Sequence, residues 1–417
     1  MTVITAQTRQ VARRGPAWTW PRVLLALAVT LVAVAALRAV TGAEQIFTSG
    51  TLRTAVAAAV PIGLAGLGGL WSERSGVINI GLEGMMILGT WGAGYGGYVW
   101  GAWGAVALGA FCGALGGLLH ALATVSFGVD HIVSGVAINI IALGAAQYLA
   151  ALTFTGLPQA GPTQSPPIPA LPSITVPGVS DAALWLEQQG WFGLSELGAL
   201  VAALTTSVNA LTLVAAALFV ATAYLLWRTS FGLRLRSCGE NPVAAESLGV
   251  NVYRYKYVAI TVSGAMAGLG GAFLAIVAAG IYRDGQTGGR GYIGLASMIF
   301  GNWRPSGVVT GAGLFGYTET LGLRSGPTSV HALLLLLSVA LALLAGWQLY
   351  QRRPVTSGVA MAIALLVLWI YLVTDTVPGE FTSLTPYLTT LLVLSLAAQR
   401  LRPPAGIGGR YRRGEAV

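Results

Sequence analysis

Along this chain long apolar runs alternate with short polar stretches, and the runs set the first expectation. They fall at 23–40, 52–70, 77–100, 105–125, 132–154, 211–227, 258–281, 308–323, 332–350, 358–373 and 384–398. At about 1.5 Å of rise per residue, a run of roughly 20 residues crosses the hydrocarbon core of a bilayer as a helix. The stretch 291–303 is too short and too rich in glycine for a full crossing, and it predicts one half of a broken helix. The pattern therefore predicts an all-α polytopic membrane protein of about ten to twelve transmembrane segments with broken helices.

Composition agrees: of 417 residues, 55% are hydrophobic and 9% charged, whereas soluble domains carry about 25% charged residues. A net charge of +9 would suggest nucleic acid in a soluble protein, but the basic residues cluster at the ends of apolar runs, where the positive-inside bias accounts for them. No nucleic-acid partner is implied; membrane lipid is. The arginines Arg9, Arg13, Arg14 and Arg22 precede the first run, which is long and lacks a clean small-residue cleavage site, so it reads as a retained helix with the N-terminus in the cytoplasm. The segment 155–208 holds seven prolines and no Lys or Arg, which assigns it to the opposite, extracytoplasmic side. The domain reading is a cytoplasmic tail 1–22, a transmembrane body 23–399 with the outer loop 155–208 and a cytoplasmic loop 228–257, and a basic cytoplasmic tail 400–417. This threading puts 18 of the 23 basic residues inside and five (Arg38, Arg53, Arg283, Arg290 and Arg324) outside. One crossing more or less within 291–330 would invert everything downstream. Cys112 in an apolar run and Cys238 in the cytoplasmic loop predict no disulfide.

The loop 228–257 carries five basic residues and one helical signal. Asn241 is a suitable N-cap, Pro242 fits the first helical position, Ala244, Ala245, Glu246 and Leu248 propagate, and Gly249 supplies a left-handed stop. A solvated basic loop is the plain alternative. The run GENPVAAESLGVNVYRYKY resembles the coupling helix of ABC-importer permeases, which implies that Glu240, Asn241, Pro242, Ala244, Ala245, Glu246 and Gly249 form the contact to an ATPase subunit.

The stretch 73–89, ERSGVINIGLEGMMILG, resembles the permease subunits of bacterial nucleoside and simple-sugar ABC importers, in the superfamily of branched-chain amino acid and ribose permeases. GRGYIGLASMIFGNWRP at 289–305 and SGVAINIIA at 134–142 agree with the same family, and the likeness covers roughly residues 50 to 330. It implies an importer in the bacterial cytoplasmic membrane that moves nucleosides or nucleobases, with simple sugars as the alternative. It also implies a separate ATPase subunit that binds the ATP, a second and different permease subunit, and an extracytoplasmic substrate-binding lipoprotein docking near 155–208 and 282–290.

The candidate pathway residues are Asn79, Glu83, Asn139, Gln147, Asn302 and Trp303. Asn79 and Glu83 are four apart and would share one helical face. Asn139 and Gln147 are eight apart on the next outward run. Glu83 reads as the only carboxylate well inside a span, hence a functional candidate, although free amides at a half-helix N-terminus would hold it equally well for structural reasons. Interhelical hydrogen bonding is the plain alternative for each Asn and Gln. GLAGLGG at 63–69 echoes AGLGG at 267–271, and IGLEGMM at 80–86 echoes IGLASMI at 293–299, either by chance between glycine-rich helices or as an inverted repeat. His120, His131 and His331 stand isolated at span ends and predict no metal site. The only lysine, Lys256, lies in YKY and not in a P-loop, so no ATPase motif is present and the chain reads as a transport subunit, not an enzyme. An ion-coupled secondary transporter would show more intramembrane carboxylates than one.

Overall fold

The computed structural model describes residues 20–324, 326–374 and 401–414, together with residue 377. The expected crossing at 384–398 and the arginines before residue 20 lie outside the described residues. Within them, seven helices are long and apolar enough to cross a membrane. The described residues are all-α apart from one two-stranded ribbon.

α1 (Trp20–Thr41) leads through a 3-10 turn into α2 (Ser49–Arg74), which the Thr48 side chain caps by accepting from the Thr51 amide. α3 (Leu82–Ala121) folds back on itself at Gly101, whose φ of 77° only glycine adopts freely, and ends in a wider turn, Leu122–Ser126. The two runs expected at 77–100 and 105–125 are thus the arms of one hairpin. Trp100 and Trp103 are exposed beside the bend, as an interfacial belt requires. Trp91, expected with them, is half-buried and stacks on Tyr95. α4 (His131–Phe154) starts at Asp130, whose carboxylate accepts from the amides of Ile132 and Val133.

The outer segment is more ordered than the loop expected from its prolines. It forms β1 (Ser173–Ile174), α5 (Val179–Gln188), α6 (Leu194–Thr205) and β2 (Val208–Asn209), with β1 and β2 antiparallel. α6 lies against α2, and Glu196 binds Arg38 of α1 at 2.6 Å. α7 (Ala210–Arg228) then returns to the basic side. There the loop folds as two helices where one was expected, α8 (Ser230–Glu240) and α9 (Pro242–Ser247), because Thr229 as well as Asn241 caps a helix start. α10 (Val252–Phe273) and its wider last turn, Leu274–Ala279, cross back. α11 (Arg290–Phe300) is short, and α12 (Pro305–Arg324), α13 (Gly326–Tyr350) and α14 (Pro354–Val373) follow, the last two packed as a hairpin.

α3 lies along α10 in the most extensive helix pairing among the described residues, and its second arm packs glycine on glycine there. Gly109, Gly113 and Gly117 face Gly264 and Gly268 so closely that a Cβ on Gly113 would stand 2.3 Å from the Gly264 carbonyl oxygen. Small residues every fourth position let two backbones touch where there is no water to drive association.

α2 and α10 run antiparallel, with Gly68 against Ser263 and Gly270 against Pro61. Each is followed by a non-helical re-entry, 75–81 and 280–289, and then by a helix that starts inside the bundle. The two units run in opposite directions, the arrangement that an inverted repeat requires. The first echoed IGL triplet, 80–82, ends the first re-entry, and the second, 293–295, lies in α11, the helix that follows the second re-entry.

The tail 401–414 packs against the loop 228–257 and the end of α2. Its Gly406 amide donates to the Gly239 carbonyl, its Gly408 amide to the Gly76 carbonyl, and Arg413 to Glu246. The tail and the basic loop therefore share one face, called the basic face below.

Candidate functional site

Two half-helices start against one another. α11 has 11 residues, about 16 Å of helix, so its first turn lies near mid-bilayer when its last reaches the basic face. α3 starts at Leu82, at the same level, after an extended climb through 77–80. Glu83, in the first turn of α3, is 7% exposed and joins them: Oε1 accepts from the Gly289 amide at 2.9 Å and Oε2 from the Gly291 amide at 2.6 Å. The carboxylate thus sits at the positive ends of two helix dipoles with both oxygens occupied by backbone amides. Gly291 makes this contact feasible, since a Cβ there would lie 2.6 Å from the Glu83 Cα.

Asn79 is not on a helical face with Glu83, because α3 begins only at Leu82. Its Oδ1 accepts from the Gly81 amide, bending the chain into the helix, and its Nδ2 donates to Ser263 of α10 at 2.9 Å. The preceding peptide is also held. His120 Nε2 lies 2.9 Å from the Ile78 carbonyl and its Nδ1 2.9 Å from Ser134 Oγ, while His131 Nδ1 accepts weakly from the Ile78 amide. The histidines expected to be isolated are fasteners of the re-entry, and His331 stacks on Tyr371. Among the described residues no three metal-ligating side chains come together.

Asn139 reaches the same junction from α4. Its Oδ1 accepts from the Gly84 amide at 2.7 Å, and its Nδ2 donates to the Ile80 carbonyl and to the Tyr292 hydroxyl, each at 3.0 Å. Higher on α4, Gln147 donates to Asp284 of the second re-entry at 2.9 Å. Gln147 is exposed, Asn139 and Asp284 are half-buried, and Tyr292 is 48% exposed. These four side chains make a polar stripe along a flank where α4 also exposes the apolar Ile132, Val136, Ile140 and Leu143.

Asn302 and Trp303 are elsewhere. They close α11 at the basic face with left-handed φ values of 53° and 54°, a conformation that costs a tryptophan about 1–2 kcal/mol. The Trp303 ring is buried, and its indole donates to Glu73 at 2.6 Å while its carbonyl accepts two bonds from Arg74. It offers no open face for stacking. Arg74 in turn lies 3.9 Å from Glu240 and over the Trp227 ring, and the Arg402 amide donates to Asn302. The end of α2, the end of α11, the loop and the tail thus interlock.

α9 has the anticipated local form: the Asn241 side chain accepts from the Ala244 amide at 2.9 Å, Pro242 opens the helix, and Gly249 stands at φ 81°. Ala245 is buried with Cys238 and Val252, whereas Val243 and Leu248 are exposed.

Sequence reasoning missed Tyr292, Asp284, Arg290 and Glu319. Glu319 lies inside a run identified from the start, so Glu83 is not the only carboxylate within a span. Its partner is the Arg290 guanidinium, counted above as an outer charge, which joins α11 to α12 by an ion pair. Nothing in the spacing links positions 29 apart.

Comparison with known proteins agrees with this architecture. Residues 51–345 match the family model described as branched-chain amino acid transport system / permease component. A guanosine ABC transporter permease of Bacillus subtilis is 37% identical over 273 residues, covering 64% of this chain and 79% of that protein. A nucleoside ABC transporter permease of Lactococcus lactis is 34% identical over 279 residues, covering 64% and 80%. A putative glucose ABC transporter permease of Haloferax volcanii is 32% identical over 377 residues, covering 88% and 98%. No solved structure matches the chain. With paired half-helices at the centre of a multi-pass bundle and a family match over most of its length, the chain belongs to the permease components of the branched-chain amino acid transport system family.

Proposed function

We propose that this chain is one permease subunit of an ABC importer that carries nucleosides across the bacterial cytoplasmic membrane, with its basic face and N-terminus in the cytoplasm. The observation that carries the reading is the polar stripe of Asn139, Tyr292, Gln147 and Asp284, open on a flank at membrane depth. Polar side chains at that depth face a pathway or another chain in preference to lipid. A second, different permease supplies the opposite wall, and a substrate-binding lipoprotein delivers the nucleoside at the outer end. ATP is bound and hydrolysed by a separate ATPase subunit docked on α9 through Glu240, Asn241, Pro242, Ala244, Ala245, Glu246 and Gly249.

In this reading Asn79 and Glu83 hold the half-helices, and Asn139 and Gln147 border the pathway. Asn302 and Trp303 act at the basic end, where the interlock with Arg74 and Glu240 ties the pathway to the ATPase contact. The guanosine and nucleoside permeases among the relatives support the substrate class. The glucose relative, alignable over more of the chain, keeps a simple sugar as the second reading.

The test is uptake by the full transporter, reconstituted with its ATPase, second permease and binding protein. ATP-dependent accumulation of guanosine or uridine, with none of glucose or ribose, is the expected result. The opposite selectivity replaces nucleosides by sugars.

A further inference from the structure

At the centre of the stripe, one aromatic ring stands apart from its neighbours on α11. Gly291, Gly294, Ser297 and Met298 are buried and the remaining positions partly so, whereas Tyr292 is 48% exposed. It sits in the first turn of a helix that begins near mid-bilayer, directly after the glycine whose amide binds Glu83.

Its hydroxyl is not free to wander. It accepts from Asn139 Nδ2 at 3.0 Å, and Asn139 is itself fixed by the Ile80 carbonyl at 3.0 Å and the Gly84 amide at 2.7 Å. The ring is therefore anchored at its polar end on both re-entrant half-helices and open along its side. An aromatic ring fixed in this way loses little conformational freedom on contact, which favours stacking with a flat partner. Stacking is tolerant of base identity, because every nucleobase presents a π-face.

We infer that Tyr292 is the surface on which the base of a translocating nucleoside stacks midway through the membrane, with Asn139 as the residue that positions its ring. The inference rests on the nucleoside reading given above. It assigns the sugar no aromatic contact at this level, so it concerns the base alone.

The experiment uses the complete transporter in proteoliposomes with saturating binding protein, and radiolabelled guanosine and uridine as probes. Tyr292→Phe keeps the ring and should retain uptake within about threefold of the unmodified transporter. Tyr292→Leu keeps apolar bulk but loses the π-face, and should lower guanosine uptake per assembled complex about tenfold or more, as expected for removing one base–aromatic stack, and uridine uptake less. Guanosine uptake by Asn139→Ala should fall between the two. Equal guanosine uptake by Tyr292→Leu and the unmodified transporter overturns the inference while leaving the nucleoside reading intact. Weaker co-purification of the second permease with undiminished uptake per complex would mean that Tyr292 belongs to the subunit contact, and also overturns it. If the unmodified transporter moves glucose and no nucleoside, both readings fall.

Discussion

Glu83 shows how one residue can be conspicuous in sequence for a reason that only its neighbours reveal. A carboxylate among INIGLEGMM draws attention as an ion or substrate ligand. In the fold both of its oxygens accept backbone amides, from Gly289 and Gly291, that have no partner within their own helix. Glu83→Gln keeps the size but leaves one oxygen and an NH2 group, so one of the two amides faces a donor. The expected loss is roughly 1–3 kcal/mol of stability, the cost of an unsatisfied buried group. It should appear as a lower thermal midpoint of the detergent-solubilised transporter, with uptake falling in proportion to the protein that assembles. An unchanged midpoint would contradict the role given to this carboxylate. The Arg290–Glu319 pair is a second case: each charge is tolerable within the bundle because the other is there.

The basic-face elements work as an interlocked set. Gly249 has no heavy atom within 4 Å of where a Cβ would be, so a substitution meets no clash and reports only its φ of 81°. Gly249→Val forces a β-branched residue into that left-handed conformation, at about 1–2 kcal/mol, and should splay the end of α9. Membrane insertion should be normal, while co-purification with the ATPase and substrate-stimulated ATP hydrolysis should drop; Gly249→Asn should suffer much less. Full coupling in the Val variant would remove α9 from the contact.

The tail is a working member of the same set, through Gly406 on Gly239, Arg413 on Glu246, and Tyr411 against Tyr253 and Lys256. Beneath it Cys238 is fully buried, and burial pushes its thiol up to about 11. Because the thiolate is the reactive form, a maleimide should label the native protein slowly near neutral pH and faster as pH approaches 11. Truncation before residue 401 should expose Cys238 and raise labelling near neutral pH severalfold in a Cys112→Ala background. Labelling as slow as in the full chain would show that the tail does not cover α8.

For the molecule as a whole, the open flank is the informative feature. Among the described residues nothing closes over Tyr292 and Gln147, both of which are exposed, and on the proposed reading the chain supplies one wall of a pathway and not a complete channel. Proteoliposomes holding this chain alone should therefore take up neither guanosine nor sugar, with or without ATP. The full assembly should do so only with ATP. Nucleotide-independent transport by the single chain would refute the subunit reading.

Hydropathy by itself determined the membrane class and most of the long apolar helices, because crossing hydrocarbon demands apolar helices. The capped helix at Asn241–Gly249 was legible for a similar reason: capping is local, and the residues that satisfy the first amides and the left-handed stop lie within nine positions. The inverted repeat was visible only as an echo, since a backbone climb such as 75–81 leaves little imprint on hydropathy. What the tertiary structure alone decided is which polar groups meet. Asn79 finds Ser263, Glu83 finds Gly291, Asn139 finds Tyr292, and Trp303 finds Glu73, each across a long stretch of chain. Periodicity specifies the face of a helix, but the partner of a buried polar group is set by which helices touch, and here the close approach of glycine-lined α3 and α10 and the two mid-membrane helix starts fix those contacts.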